Sequence, residues 1–122
     1  LAMPHVMVAM NVFAAETEAE ARLLASSQQQ SFVRLRSGTP GKLPPPIADY
    51  TETLPATAQA MLAHIGQASA VGTPAQVREG IDAFVRRTGA DEILLCGATY
   101  DAPARIRSLE LTLDACRAMV DA

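Results

Sequence analysis

The sequence predicts a parallel α/β fold, and the clearest evidence is one helix-to-strand unit over residues 72–95. Thr73 is a typical N-cap residue, Pro74 occupies the first helical position, and the Gln76 amide can bond back to the cap. Gly89 supplies a left-handed stop. The apolar face of the helix is expected to carry Val77, Ile81, Phe84 and Val85. A helix that leads directly into an apolar strand is a unit of a parallel sheet.

The first part of the chain predicts another strand and helix. Val6 to Phe13 form an apolar run of strand length. Thr17 to Glu20 then read as a capping box, with acids in the first helical turn. The helix is expected to run to about Arg36 and to stop at Gly38. Its buried face is predicted to comprise Ala21, Leu24, Ala25, Phe32 and Leu35.

Between the two βα units lies a proline-rich connection at about residues 37–55. Its prolines and glycines exclude a regular helix or central strand over most of its length. It is either a surface connection or a lid over a site. Ala56 to Ile65 then predict a short helix, with Met61, Leu62 and Ile65 inward. Ser69 to Gly72 predict a brief strand.

The end of the chain predicts one more strand and helix. The uninterrupted apolar run from Ile93 to Cys96 is typical of a strand covered on both faces. The last helix is expected to begin near Pro103. Its inward positions are predicted to be Ile106, Leu109, Leu113, Cys116 and Val120. Because Cys96 and Cys116 lie on different elements, we expect inert buried thiols in a reducing compartment rather than a disulfide.

Composition excludes several classes of function. The net charge is -3 and no basic cluster occurs, which argues against nucleic-acid binding. No apolar segment has bilayer length, and the apolar start lacks a basic leader, so we expect a cytoplasmic protein that does not bind membranes. His5 and His64 have no metal-ligand spacing around them, so no metal is expected.

The order of elements leaves two architectures open. Parallel βα units build either open sheets or closed eight-stranded barrels, and a barrel needs about 250 residues. With 122 residues, the chain is either a small open α/β domain or a piece of a larger structure.

Four stretches also resemble a known family, in the same order along the chain. They are residues 8–21 (VAMNVFAAETEAEA), 41–46 (GKLPPP), 71–92 with Val71-Gly72-Thr73-Pro74 and Gly89-Ala90-Asp91-Glu92, and 100–111. Together they resemble the bacterial luciferase-like, flavin-dependent monooxygenases. The resemblance implies a (β/α)8 TIM barrel, of which residues 1–122 would form only the C-terminal βα units.

The resemblance further implies an oxidoreductase that uses reduced FMN, or a deazaflavin in some relatives, with O2 on a small organic substrate such as an aldehyde. Most flavin contacts of the family lie in the missing two thirds, so we expect the isolated chain to be inactive. The remaining barrel segment, or further copies in a homo-oligomer, would be its partner. The alternative is a non-catalytic small α/β domain that acts through self-association.

In a barrel the reactive face lies at the carboxyl ends of the strands. This places five residues at the expected cofactor site: Asn11, Thr99, Tyr100, Asp101 and Arg105. Each has a structural alternative. The Asn11 amide could bond buried backbone, Thr99 or Asp101 could cap the last helix, and Asp101 could pair with Arg105 one turn later. No catalytic residue is assigned.

Overall fold

A computed structural model describes residues 5–39, 41–97 and 99–121, with the backbone alone at Ile65 and residues 118–121. The strands are β1 (Met7–Ala14), β2 (Ser69–Gly72) and β3 (Glu92–Cys96). The helices are α1 (Glu18–Arg36), α2 (Ala56–Ile65), α3 (Pro74–Thr88) and α4 (Ala102–Asp121). Short 3-10 turns occupy Tyr50–Thr53 and Gly66–Ala68. The predicted inward positions Ile65 and Val120 fall outside the described side chains.

The three strands form one parallel sheet in the order β2-β1-β3. The register places Asn11 opposite Ser69 on one side and opposite Cys96 on the other. The α/β class and every predicted element are therefore confirmed. The outer edges of β2 and β3 pair with no other described strand, so the closed barrel stays a prediction for a longer protein.

The main core lies on one face of β1, where α3 and α4 pack. Met10, Val12 and Ala14 are buried there, and Val77, Ile81 and Phe84 of α3 cover them. Since these residues alternate along β1, they point to the same face of the sheet. The apolar face predicted for α3 is thus confirmed.

Both ends of α3 have the predicted geometry. The Gln76 backbone N–H donates to Thr73 Oγ1 at 3.4 Å, and the Thr73 N–H donates to Gln76 Oε1 at 2.9 Å. Gly89 adopts a left-handed φ of 66° and ends the helix. At α1 only half of the predicted box forms within the described residues, because Thr17 Oγ1 accepts from the Glu20 N–H at 3.2 Å without a reciprocal bond.

The proline-rich connection is anchored on α1. Gln30 Nε2 donates to the Pro45 carbonyl at 2.7 Å, and the Ile47 N–H donates to Ser26 Oγ at 2.9 Å. Ser26 and Gln30 are buried beneath it. The segment is therefore a connection bonded to a helix, with no strand and only one short turn of helix in its described part.

Several predicted core positions are wrong. Leu35, Ile106 and Leu113 are exposed, while Leu24 and Phe32 are only half-buried. β3 is covered on one face only: Ile93 and Leu95 pack against the core, whereas Leu94 and Cys96 are exposed. Cys96 is therefore not the buried thiol predicted. These errors have one cause. Apolar spacing along a single helix or strand does not show which neighbouring element will cover each side chain.

Candidate functional site at the carboxyl edge of the sheet

The carboxyl ends of β1 and β3 lie at the same edge of the sheet because the strands are parallel. Gly97 leaves β3 beside β1, where an added Cβ would lie 2.5 Å from the Val12 carbonyl oxygen. Only glycine fits so close an approach without displacing a strand. The backbone after β3 is therefore held against β1 just before the predicted site residues.

Of the residues predicted after β3, Thr99 and Asp101 have structural partners. Thr99 is buried, and its hydroxyl lies 3.5 Å from the Gly97 carbonyl oxygen. Asp101 Oδ2 accepts from the Ala104 N–H at 3.1 Å, so Asp101 caps α4. The capping alternative for Asp101 is confirmed.

Tyr100 and Arg105 point away from the protein body. Tyr100 is 54% exposed. Arg105 is exposed too, and no ion pair joins it to Asp101 among the described side chains. The predicted i, i+4 pair is therefore wrong. Among the described side chains, the Arg105 guanidinium has no ion-pair partner.

Asn11 lies in the middle of β1 rather than at its end. It is half-buried between Ser69 and Cys96, and its amide has no hydrogen bond to any described residue. The alternative role, bonding buried backbone, is not observed. No hydrogen bond or ion pair connects Asn11 to Thr99, Tyr100, Asp101 or Arg105, so they do not form a bonded cluster in the described part of the chain.

Two residues of α4 that sequence reasoning missed hold this edge together. Ser108 Oγ accepts from the Ala14 N–H at 2.8 Å, with both residues buried. Arg107 lies 3.4 Å from Glu16 Oε1 and so links α4 to the loop after β1. The local sequence held no signal for Ser108, which stands between Arg107 and Leu109, and its partner is 94 residues away.

A large cavity lies elsewhere, between α1 and the segment 48–52. Its volume is about 610 Å³, and none of the five predicted residues lines it. Glu20, Asp49 and Glu52 line it together with the apolar Leu23 and Val71. Arg22, also at the cavity, is already paired with Glu18. This cavity and the carboxyl edge are therefore different places on the molecule.

Comparison with known proteins identifies the family. The chain is 40% identical over 114 residues to a luciferase-like monooxygenase of Escherichia coli K12, a match that covers 93% of this chain and 34% of that protein. The chain belongs to the luciferase-like monooxygenase family. YvbT of Bacillus subtilis 168, an uncharacterized protein, is 35% identical over 111 residues, covering 91% of this chain and 33% of YvbT. The resemblance found in the sequence is thereby confirmed.

The solved structure of apo-MsnO8 shares the fold with a TM-score of 0.70, over 93% of this chain and 35% of that one, at 23% identity. No protein-family model matches the chain. The chain spans about a third of the length of the curated relatives it matches. The other two thirds of these relatives therefore have no counterpart in this chain.

The helix N-termini at the carboxyl edge are partly capped by their own side chains. Phosphates bind at helix N-termini through free backbone N–H groups. In the three helices that follow strands, Thr17, Thr73 and Asp101 each accept a bond from one of these groups. Glu16 and Glu18 add negative charge nearby. No step of a flavin reaction is assigned to this edge.

Two further observations concern metal binding and membrane-spanning helices. Over the described residues, no three His, Cys, Asp or Glu side chains gather as a metal site. Nor is any described helix both long and apolar enough to cross a bilayer.

Proposed function

We propose that this chain is the C-terminal third of a flavin-dependent luciferase-like monooxygenase with a (β/α)8 barrel. The complete protein would use reduced FMN, or a deazaflavin, and O2 to oxidise a small organic substrate. The observation that carries the proposal is the 40% identity to the Escherichia coli luciferase-like monooxygenase over 93% of the chain.

We also propose that the isolated chain neither binds flavin tightly nor turns over. Two features support this. In each of the three helices that follow strands, a cap side chain already accepts one N–H of the first turn. The described residues form three of the eight strands that a barrel requires.

A titration with FMN tests both statements. The chain alone is compared with a chimera in which it replaces the matching 114 residues of the Escherichia coli relative. We expect flavin fluorescence to be quenched by the chimera and unchanged by the chain. If the chain alone bound FMN as tightly as the chimera, the proposal that the isolated chain does not bind flavin tightly would be overturned. A chimera that folds but binds neither FMN nor a deazaflavin would overturn the flavin assignment.

Asn11 is the flavin contact that we favour, because its amide has no hydrogen bond to a described residue and can both donate and accept at the flavin ring. In the chimera, Asn11→Ala is expected to weaken FMN binding. The matched control is Asp101→Ala, because Asp101 already caps α4 and should affect stability instead. If Asp101→Ala weakened FMN binding and Asn11→Ala did not, the proposed contact would move from Asn11 to the loop after β3.

The alternative function is a small α/β domain that acts by self-association. The exposed apolar side chains of β1 and β3 favour it, because such surfaces drive association. Sedimentation velocity of the chain alone tests it. A monomer at all accessible concentrations would exclude this alternative.

A further inference from the structure

Three cavities adjoin one another between α1 and the segment that runs from residue 48 into α2. Each of them is lined by Gln29, and their volumes are about 610, 410 and 240 Å³. The first lies beside the segment 48–52, and the third reaches the sheet at Phe13 and Val71. We call these three cavities together the Gln29 cleft. None of the residues predicted for the flavin site lines it.

The deep end of the Gln29 cleft is apolar. Phe13 of β1 and Val71 of β2 are partners in the sheet register, so their side chains lie side by side on one face of the sheet. Phe32 of α1 and Leu62 of α2 complete this end. Phe13 and Leu62 are only 3% and 7% exposed. A concave apolar surface of this kind is the usual form of a small-molecule site.

Gln29 supplies a polar group between the deep end and the mouth of the cleft. Its side chain is half-buried, and its amide has no hydrogen bond to a described residue. The neighbouring Gln30 differs, because its amide donates to the Pro45 carbonyl. A side-chain amide can both donate and accept. The Gln29 amide is therefore available to a ligand that enters the cleft.

The mouth of the cleft carries carboxylates that lack a basic partner. Glu20, Asp49 and Glu52 line it, and none of them forms an ion pair with a described residue. The Asp49 carboxylate does not cap the turn that follows it either. Arg22 also lines the mouth, but it is paired with Glu18. The local charge therefore attracts cations and repels anions.

We propose that the Gln29 cleft binds a small organic cation, a primary alkylammonium ion. Its apolar part lies against Phe13 and Val71, and its ammonium group lies at the mouth beside Asp49 and Glu52. The apolar deep end favours an organic body over a bare metal ion, and the charge of the mouth selects the sign of the head group. This inference goes beyond the proposed function, because it concerns a site away from the carboxyl edge and needs no flavin.

The test compares three probes that share a hexyl chain and differ in the head group: hexylammonium, hexanol and hexanoate. NMR titration of the isotopically labelled chain without flavin reports both the affinity and the position of each probe. We expect hexylammonium to cause saturable amide shifts at Phe13, Phe32, Val71 and the segment 48–52. It should bind about fivefold or more tightly than hexanol, because each exposed carboxylate contributes up to about fivefold in affinity. Hexanoate should bind least.

Matched variants test the role of the mouth. Asp49→Asn and Glu52→Gln each remove one charge, and each should weaken hexylammonium binding by about twofold to fivefold and leave hexanol binding unchanged. Asparagine also tolerates the positive φ of 54° at Asp49, so the turn is retained. The control is Glu79→Gln on α3, which makes the same change in net charge at an exposed residue outside the cleft. It should leave the affinity for hexylammonium unchanged.

Three outcomes would refute the proposal. The first is that hexylammonium binds no more tightly than hexanol. The second is that its amide shifts are absent from Phe13 and Val71 at the deep end of the cleft. The third is that Glu79→Gln weakens hexylammonium binding as much as the two mouth variants do, which would show a general effect of net charge. Dispersed amide spectra confirm that each variant is folded.

Discussion

Two buried serines should respond in opposite ways to the same substitution. Ser108 is 2% exposed and its hydroxyl accepts the hydrogen bond of the Ala14 N–H at 2.8 Å. Ser27 is 0% exposed, and its hydroxyl has no partner among the described residues. Ser108→Ala therefore removes a bond that holds α4 to β1, whereas Ser27→Ala removes an unsatisfied polar atom.

The magnitude follows from what each change leaves behind. Ser108→Ala leaves the buried Ala14 N–H without a partner, which costs about 1–3 kcal/mol. The higher helix propensity of alanine returns about 0.5 kcal/mol at either site. We expect a net loss of about 0.5–2.5 kcal/mol for Ser108→Ala and no loss, or a small gain, for Ser27→Ala.

Urea denaturation monitored by circular dichroism measures the stability of both variants. With an m-value of about 2 kcal/mol/M, the Ser108→Ala midpoint should fall by about 0.3–1.3 M. The Ser27→Ala midpoint should stay or rise. Equal midpoints for the two variants would refute the argument that the bond between β1 and α4 contributes to stability.

Three further predictions concern other parts of the chain. Gly97→Ala places a methyl group against the backbone of β1 and should destabilise by about 1–3 kcal/mol, whereas Gly41→Ala meets no atom within 4 Å and serves as its control in the same denaturation assay. Thr73→Ala removes the cap of α3 and should cost about 1 kcal/mol; an unchanged midpoint would contradict a stabilising cap. Burial raises the pKa of the Cys116 thiol, so its alkylation rate should keep rising to a higher pH than that of a thiol in an unfolded peptide, while exposed Cys96 is labelled first. Unfolding in urea should abolish the difference in labelling rate between the two thiols. Labelling of Cys116 before Cys96 in the native chain would contradict the burial of Cys116.

Elements with strong local signals were predictable from the sequence. The cap at Thr73 and the stop at Gly89 act within a few residues, so α3 matches its prediction at both ends. The strands were also located, since apolar runs and breakers are local features. The parallel class followed from their connection by helices.

The buried residues of α4 could not be predicted in the same way. Apolar spacing placed Ile106 and Leu113 inward, yet α4 buries Ser108 and Thr112. Thr112 Oγ1 donates to the Ser108 carbonyl at 2.8 Å, and Ser108 in turn bonds to β1. The partner of Ser108 lies at the far end of the chain, so the spacing within one helix carries no record of it.

The candidate site was predictable only in part. Parallel strands place their carboxyl ends together, which predicted that the segment after β3 lies against β1, as Gly97 does at the Val12 carbonyl. The link between Arg107 and Glu16 depends on how α4 packs, and so it was missed. The expected pair between Asp101 and Arg105 failed because the Asp101 carboxylate bonds the helix backbone instead.

The central position of β1 also has a consequence for how the chain acquires its structure. Of the three described strands β1 is made before its neighbours β2 and β3, and the bond between Val6 and Asp91 beside β3 spans 85 residues. On the ribosome, the middle strand of the sheet therefore emerges long before either flank. Contacts so distant in sequence slow folding. The apolar β1 segment thus lacks a complete pair of strand neighbours until synthesis has passed β3.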